Sequence, residues 1–165
     1  MELRLELMPP QLDESAVTEL ADLAAEIDGG CEHQTVVKLA EFNRRAMTNL
    51  RFIDFQGIYG GQDHDTWVRQ ILAQPYEKHL TDITLPELVE LARRVMECDG
   101  AEHAIGFWLN MLELNLPNER ISDLIYWPGE YFGDGDNMRE LTPEQVIDIA
   151  LKEQGSARNY ITPST

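Results

Sequence analysis

ELADLAAEIDGG at residues 19–30 returns as ELARRVMECDGA at residues 90–101. Both stretches repeat apolar residues every three or four positions and then stop at an acid and glycine. That is the pattern of an amphipathic helix closed at its C-terminus. Val17, Leu20, Ala21 and Ala24 share one face of the first. Leu85, Leu88, Val89, Ala92, Val95 and Met96 share one face of the second. The likeness continues downstream. Glu32-His33 returns as Glu102-His103, Phe52–Tyr59 as Leu124–Tyr131, and Thr66–Ala73 as Glu144–Leu151, at offsets of 70 to 78 residues. Four matches in one order point to a duplication. The seam falls near Gln74–Thr81, where a proline follows a helical pattern, giving units 1–80 and 81–165.

Each unit reads as helix, helix, short helix, helix. In the second, Thr84 is a predicted N-cap, with Pro86 and Glu87 in the first turn, and Asp99-Gly100 stops the helix. Ala104–Leu116 is apolar almost all round, and Pro117 and Asn118 end it. Asp123–Trp127 makes one or two turns, capped by Ser122 or Asp123 and closed by Pro128. Thr142-Pro-Glu-Gln opens the last helix with a capping box, and Val146, Ile149 and Ala150 form its inner face. In the first unit, Val36, Val37, Leu39, Ala40 and Phe42 belong to the second helix. Phe52–Phe55 is the short helix, and Trp67, Val68, Ile71 and Leu72 lie on the last. RLELM at residues 4–8 alternates like a strand but is read as an extended tail. The expected fold is all-α: two tandem four-helix bundles packed together.

Thirty acids oppose thirteen bases among 165 residues, a formal net charge of -17. Nucleic acid and anionic membranes both require basic patches, so neither is an expected partner. The charge suits either an ordinary acidic protein or one that attracts a basic partner and speeds the encounter. No apolar run reaches the eighteen or so residues that span a bilayer, and MELRLELMPPQLDES lacks a signal-peptide pattern, so the expected location is the cytoplasm. The two cysteines, Cys31 and Cys98, are expected to be reduced there.

Ser122-Asp-Leu-Ile-Tyr-Trp-Pro128, followed by an acidic Gly/Asp loop and Thr142-Pro-Glu-Gln-Val-Ile, resembles the immunity proteins of nuclease colicins and S-type pyocins. The resemblance covers roughly residues 82–155. It implies a four-helix protein that binds and inhibits the basic DNase domain of a bacteriocin, without catalysis or cofactor. By position, Asp123, Tyr126, Trp127 and Pro128 match the family's shared binding spot. Glu102, Ile105, Gly106, Leu109, Asn110 and Glu113 occupy positions that set partner preference. The sequence departs from the family at Trp127, where the family has a second tyrosine, and in its more apolar second helix. The first unit has Asp54 opposite Tyr126 and Gln56 opposite Pro128, so it reads as degenerate for this partner, with a structural role or a different binding surface. Leu124 and Ile125, with Phe52 and Ile53, read as core.

The residues themselves agree with such a role. Tyr and Trp are enriched at binding hot spots, and Glu130, Asp134 and Asp136 suit the lysines and arginines that a nuclease turns toward DNA. The same two rings also suit a bundle core. A partner-binding module of the same fold, with a regulatory or scaffold role, is the second expectation. Asp63-His64-Asp65 has donors that suit a divalent metal but is a small set, read first as a solvated turn; a metal-dependent enzyme using it and the histidines is a third, weaker expectation. Asp134-Gly-Asp-Asn lacks the glycine and distal glutamate of a calcium loop. No P-loop, G-x-G-x-x-G or G-x-S-x-G occurs.

Overall fold

A computed structural model of the chain describes residues 2–136 and 138–152. Among them every regular element is helical, so the protein is all-α. No described helix is long and apolar enough to cross a membrane. The chain divides into two compact units, Pro10–Tyr76 and a C-terminal unit that joins the residues up to Pro9 with those from Glu77 onward.

The unit Pro10–Tyr76 contains α1 (Glu14–Asp28), α2 (Glu32–Ala46), a 3-10 turn (Phe52–Phe55), α3 (Ile58–Gly61) and α4 (His64–Ala73). Asp13 caps α1 by accepting from the Ala16 N–H, and Asp63 caps α4 by accepting from the Thr66 N–H. α1 lies against α2 and α4. Val17, Leu20, Ala24 and Ile27 close the core with Phe42, Phe55 and Val68. Phe42 and Phe55 meet edge to face at 4.9 Å, and Phe55 lies 5.0 Å from Trp67. Asp28, at the end of α1, accepts from the N–H groups of Gly57 (2.9 Å) and Tyr59 (3.1 Å) and lies 3.0 Å from His64 Nε2. Burial is the largest single influence on its carboxyl and acts upward. The hydrogen bonds together outweigh it and hold the pKa below the ordinary value.

The C-terminal unit contains α5 (Leu85–Met96), α6 (Glu102–Asn115), α7 (Ile121–Tyr126), α8 (Pro128–Phe132) and α9 (Pro143–Lys152). α5 lies against α6 and α9, repeating the pairing of the other unit. Reciprocal capping boxes open α5 (Thr84 with Glu87) and α9 (Thr142 with Gln145). Leu88, Leu91, Ala92 and Val95 of α5 are buried. So are Phe107, Trp108, Met111 and Leu112 of α6, and Val146, Ile147 and Ala150 of α9.

Several expectations change. Each unit has one more short helix than expected, α3 and α8. Leu85 is exposed and Leu91 takes its place in the core. On α9 Ile147 is buried, whereas Ile149 is only half-buried. The N-terminal residues 2–9, read as a tail of the first unit, pack into the C-terminal one. Leu5–Leu7 is a 3-10 turn that buries Leu3 and Leu7. Side-chain contacts hold it. Trp108 Nε1 donates to the Leu7 carbonyl (3.1 Å), Arg4 makes a forked pair with Asp82 (2.7 and 3.0 Å) and a second ion pair with Glu87 (3.2 Å), and Arg94 Nη1 approaches Met8 Sδ (3.8 Å).

The correspondence between units also shifts. Arg51 pairs with Asp54, and Arg120 pairs with Asp123, at the same three-residue spacing. Phe55 and Leu124, each one residue later, are both fully buried. Asp54 is therefore the counterpart of Asp123, not of Tyr126, and Tyr126 falls opposite Gly57. Ile53, read as core, is 62% exposed. The shared glycine in the two strings misled the reading, because the short helices end differently before it.

One buried charge has a measurable consequence. Glu90 on α5 is buried and paired with Arg93 (2.8 Å) and Arg94 (3.0 Å). The Arg93 hydrogen bond, chiefly, pulls its pKa from 4.5 down to about 2. A folded pKa below the unfolded one gives stability that is complete above the unfolded value and is lost as pH falls through the folded value. Thermal melts should therefore show falling stability between about pH 4.5 and about pH 2. Glu90→Gln should be less stable at neutral pH and show a flatter acid limb.

Candidate functional site

The α7–α8 corner is built around Trp127. Its N–H donates to the Asp123 carbonyl (2.7 Å), closing α7. Its own carbonyl accepts from the N–H groups of Glu130 and Tyr131 (both 3.0 Å), opening α8. Pro128 explains the break. With no N–H it cannot extend α7, and its fixed φ suits the first position of α8. One residue thus serves as C-cap and N-cap at once, with backbone angles outside both regular regions. The chain turns there, and the two rings point outward: Tyr126 is 45% exposed and Trp127 59%. Ile121 and Leu124, on the opposite side of α7, are fully buried. Tyr126 and Trp127 are therefore not the core residues that the apolar pattern also allowed.

Partial burial raises the Tyr126 phenol above its ordinary pKa, with Cys98 a smaller influence in the same direction. It stays protonated near neutrality and can donate a hydrogen bond. The corner is braced from behind. Asn118 is buried, donates to the Tyr131 hydroxyl (2.8 Å) and accepts from the Arg120 N–H (2.7 Å). The Arg120 guanidinium lies 5.1 Å from the Tyr131 ring centre and also bonds Asp123 (2.9 Å). The sequence marks Asn118 only as a helix stop and does not mark Arg120, because their role here depends on which way the chain turns at Trp127.

α6 lies against α7 and divides into two faces. Ala104, Phe107, Trp108, Met111 and Leu112 are buried. Ile105, Gly106, Leu109 and Asn110 are half-exposed, and Glu102 and Glu113 are exposed. The apolar character of this helix comes from a full core face plus a partly apolar outer one. Asn110 Nδ2 donates to Glu77 (2.9 Å), so its amide is already engaged.

The acids near the corner are not equivalent. Arg139 pairs with Asp134, approaches Asp136 at 4.0 Å and covers the Phe132 ring at 4.3 Å. Asp123 pairs with Arg120. Glu102, Glu113 and Glu130 have no ion-pair partner among the described residues. Their charge remains available to a partner, while Arg139 offsets part of the acidic loop's.

The residues weighed for metal binding are used otherwise. Asp63 caps α4, His64 faces Asp28, and Asp65 pairs with Arg69 (2.6 Å). No cluster of three or more ligating side chains occurs among the described residues. Cys31 and Cys98 are both free thiols.

No family model and no solved structure matches the chain. A curated relative, the uncharacterized protein YezA of Bacillus subtilis (strain 168), is 33% identical over 69 residues, 42% of this chain and 88% of the relative. The relative is thus about as long as one of the two units, and its sequence likeness is strong enough to group the proteins. The chain belongs to the same family as YezA.

Proposed function

We propose that the outer face of α6, α7 and α8 binds a basic protein surface and that the protein acts as an immunity protein, inhibiting a bacteriocin-type nuclease in the cytoplasm without catalysis. The observation that carries this reading is the exposure of Tyr126 and Trp127 at a rigid corner. Two large rings held out into water by a shared helix cap are costly unless something covers them, and such rings are preferred anchors of protein interfaces. The same unit carries the carboxylates Glu102, Glu113 and Glu130, without an ion-pair partner among the described residues, and the chain as a whole carries a net charge of -17. That combination speeds encounter with a cationic surface and selects against anionic ones. Binding beside a nuclease's DNA channel would exclude DNA by occupancy and charge.

The reading is tested by mixing the purified chain with bacteriocin DNase domains and following DNA cleavage and complex formation. A stoichiometric complex that stops cleavage is expected, with an association rate that falls steeply as salt rises. Failure of every such domain to bind removes the toxin from the proposal.

The duplication favours a second reading, in which the same face serves a regulatory or scaffold partner. A relative about one unit long indicates that a single unit suffices for whatever that protein does. A second unit joined to it suits the bridging of two partners. A toxin gene beside the coding gene supports inhibition; its absence, with a stable non-nuclease complex from the native cell, supports the scaffold.

A further inference from the structure

The unit Pro10–Tyr76 contains an apolar depression, open on one side to solvent, of about 350 Å³. Its floor is Ala46 and Ile71, both buried, and its walls include Leu12 and Leu72. Met47 and Tyr76 stand at the rim, 91% and 55% exposed. Met47 follows the last turn of α2 in the left-handed region, with φ of 53°. That geometry ends the helix and carries an unbranched apolar side chain out into water. No charged residue lines the cavity. Its polar groups are few, and the Thr48 hydroxyl is already donated to Asn43 (2.8 Å).

We propose that this cavity is a binding site for an uncharged, apolar small molecule. Its volume lies at the small end of ligand sites, and an apolar lining with a few polar groups at the mouth is their usual make-up. The absence of a lining cation leaves nothing to neutralise an anionic head group. The net charge of -17 further disfavours fatty acids and other anions. A cationic ligand would find no carboxylate inside. A neutral aliphatic or aromatic molecule gains from displacing water over the floor and from covering Met47 and Tyr76. The site lies within the Pro10–Tyr76 unit and does not depend on the function proposed for the α6–α8 face of the C-terminal unit.

The test uses the whole chain and the neutral dye Nile red, titrated with its emission recorded, with 1-decanol as competitor. Saturable one-to-one binding with a blue shift, reversed by decanol, is expected. Met47→Asn keeps a residue that tolerates the left-handed region, and Tyr76→Asp places a charge at the exposed mouth. Each should weaken the dye by about tenfold with an unchanged melting temperature. Tyr126→Ala/Trp127→Ala should leave dye binding as it was. Binding that does not saturate, or that survives both rim substitutions, overturns the inference. So does loss of binding in the Tyr126→Ala/Trp127→Ala protein, which would place the dye on the other face.

Discussion

Trp108→Ala is expected to destabilise the C-terminal unit by about 3–5 kcal/mol, the usual range for removing a large buried aromatic. The side chain is buried in α6, its Nε1 bonds the Leu7 carbonyl, and Arg94 lies 4.9 Å from its ring centre. Gly100 is also close, since a Cβ added there would lie 3.3 Å from the ring. Trp108 therefore joins α6 to the N-terminal segment and to the turn that precedes it. Trp108→Phe keeps most of the packing and loses the hydrogen bond, so a cost near 1 kcal/mol is expected. Leu7→Ala should cost about 2–5 kcal/mol, because Leu7 is fully buried. Urea unfolding followed by far-ultraviolet dichroism measures all three. A negligible effect of Leu7→Ala would show that residues 2–9 are a tail after all.

The second large effect concerns binding. Tyr126→Ala and Trp127→Ala should each weaken the partner complex by about 2 kcal/mol or more, roughly thirtyfold. Neighbouring rings share one contact area, so the double substitution is not expected to be the simple sum. Stability should change by only about 0.5 kcal/mol, because both rings are substantially exposed. The separation of the two readouts matters more than either value. A core residue loses stability and affinity together, whereas an interface residue loses affinity alone. Asp123→Ala is a useful contrast. Its carboxylate pairs with Arg120 at the surface, so it should affect the corner's rigidity more than its charge.

The helices were legible because their periodicity is local. α1, α4, α5 and α9 stand where the spacing placed them, and Thr142 with Gln145 forms the capping box read from the sequence. What was not legible depends on contacts distant in the chain. RLELM alternates like a strand, but its Leu7 carbonyl accepts from the Trp108 indole N–H, about a hundred residues away. Ile53 looks like core because it is apolar. It is exposed because the turn it belongs to buries Phe55 instead. The duplication was visible, but its register near the short helices was set by matching glycines. The Arg51–Asp54 and Arg120–Asp123 pairs fix the register three residues away.

The candidate site shows the same division. The motif Ser122–Pro128 marked a place of interest, and composition marked the acids around it. Periodicity could not say that Tyr126 and Trp127 face outward while Ile121 and Leu124 face in, because a six-residue helix has too few turns to define a face. Nor could it say that Arg139 neutralises part of the acidic loop, since that pairing depends on how the loop folds back.

The most direct test of the central claim is an inhibition titration with a basic bacteriocin DNase domain, comparing the native chain with Tyr126→Ala/Trp127→Ala and recording thermal melts of both. The account predicts that the native chain stops DNA cleavage near equimolar ratio. The double variant should need at least about a hundredfold more protein while melting within a few degrees of the native chain. Equal inhibition by the two proteins, or inhibition by neither, would contradict it.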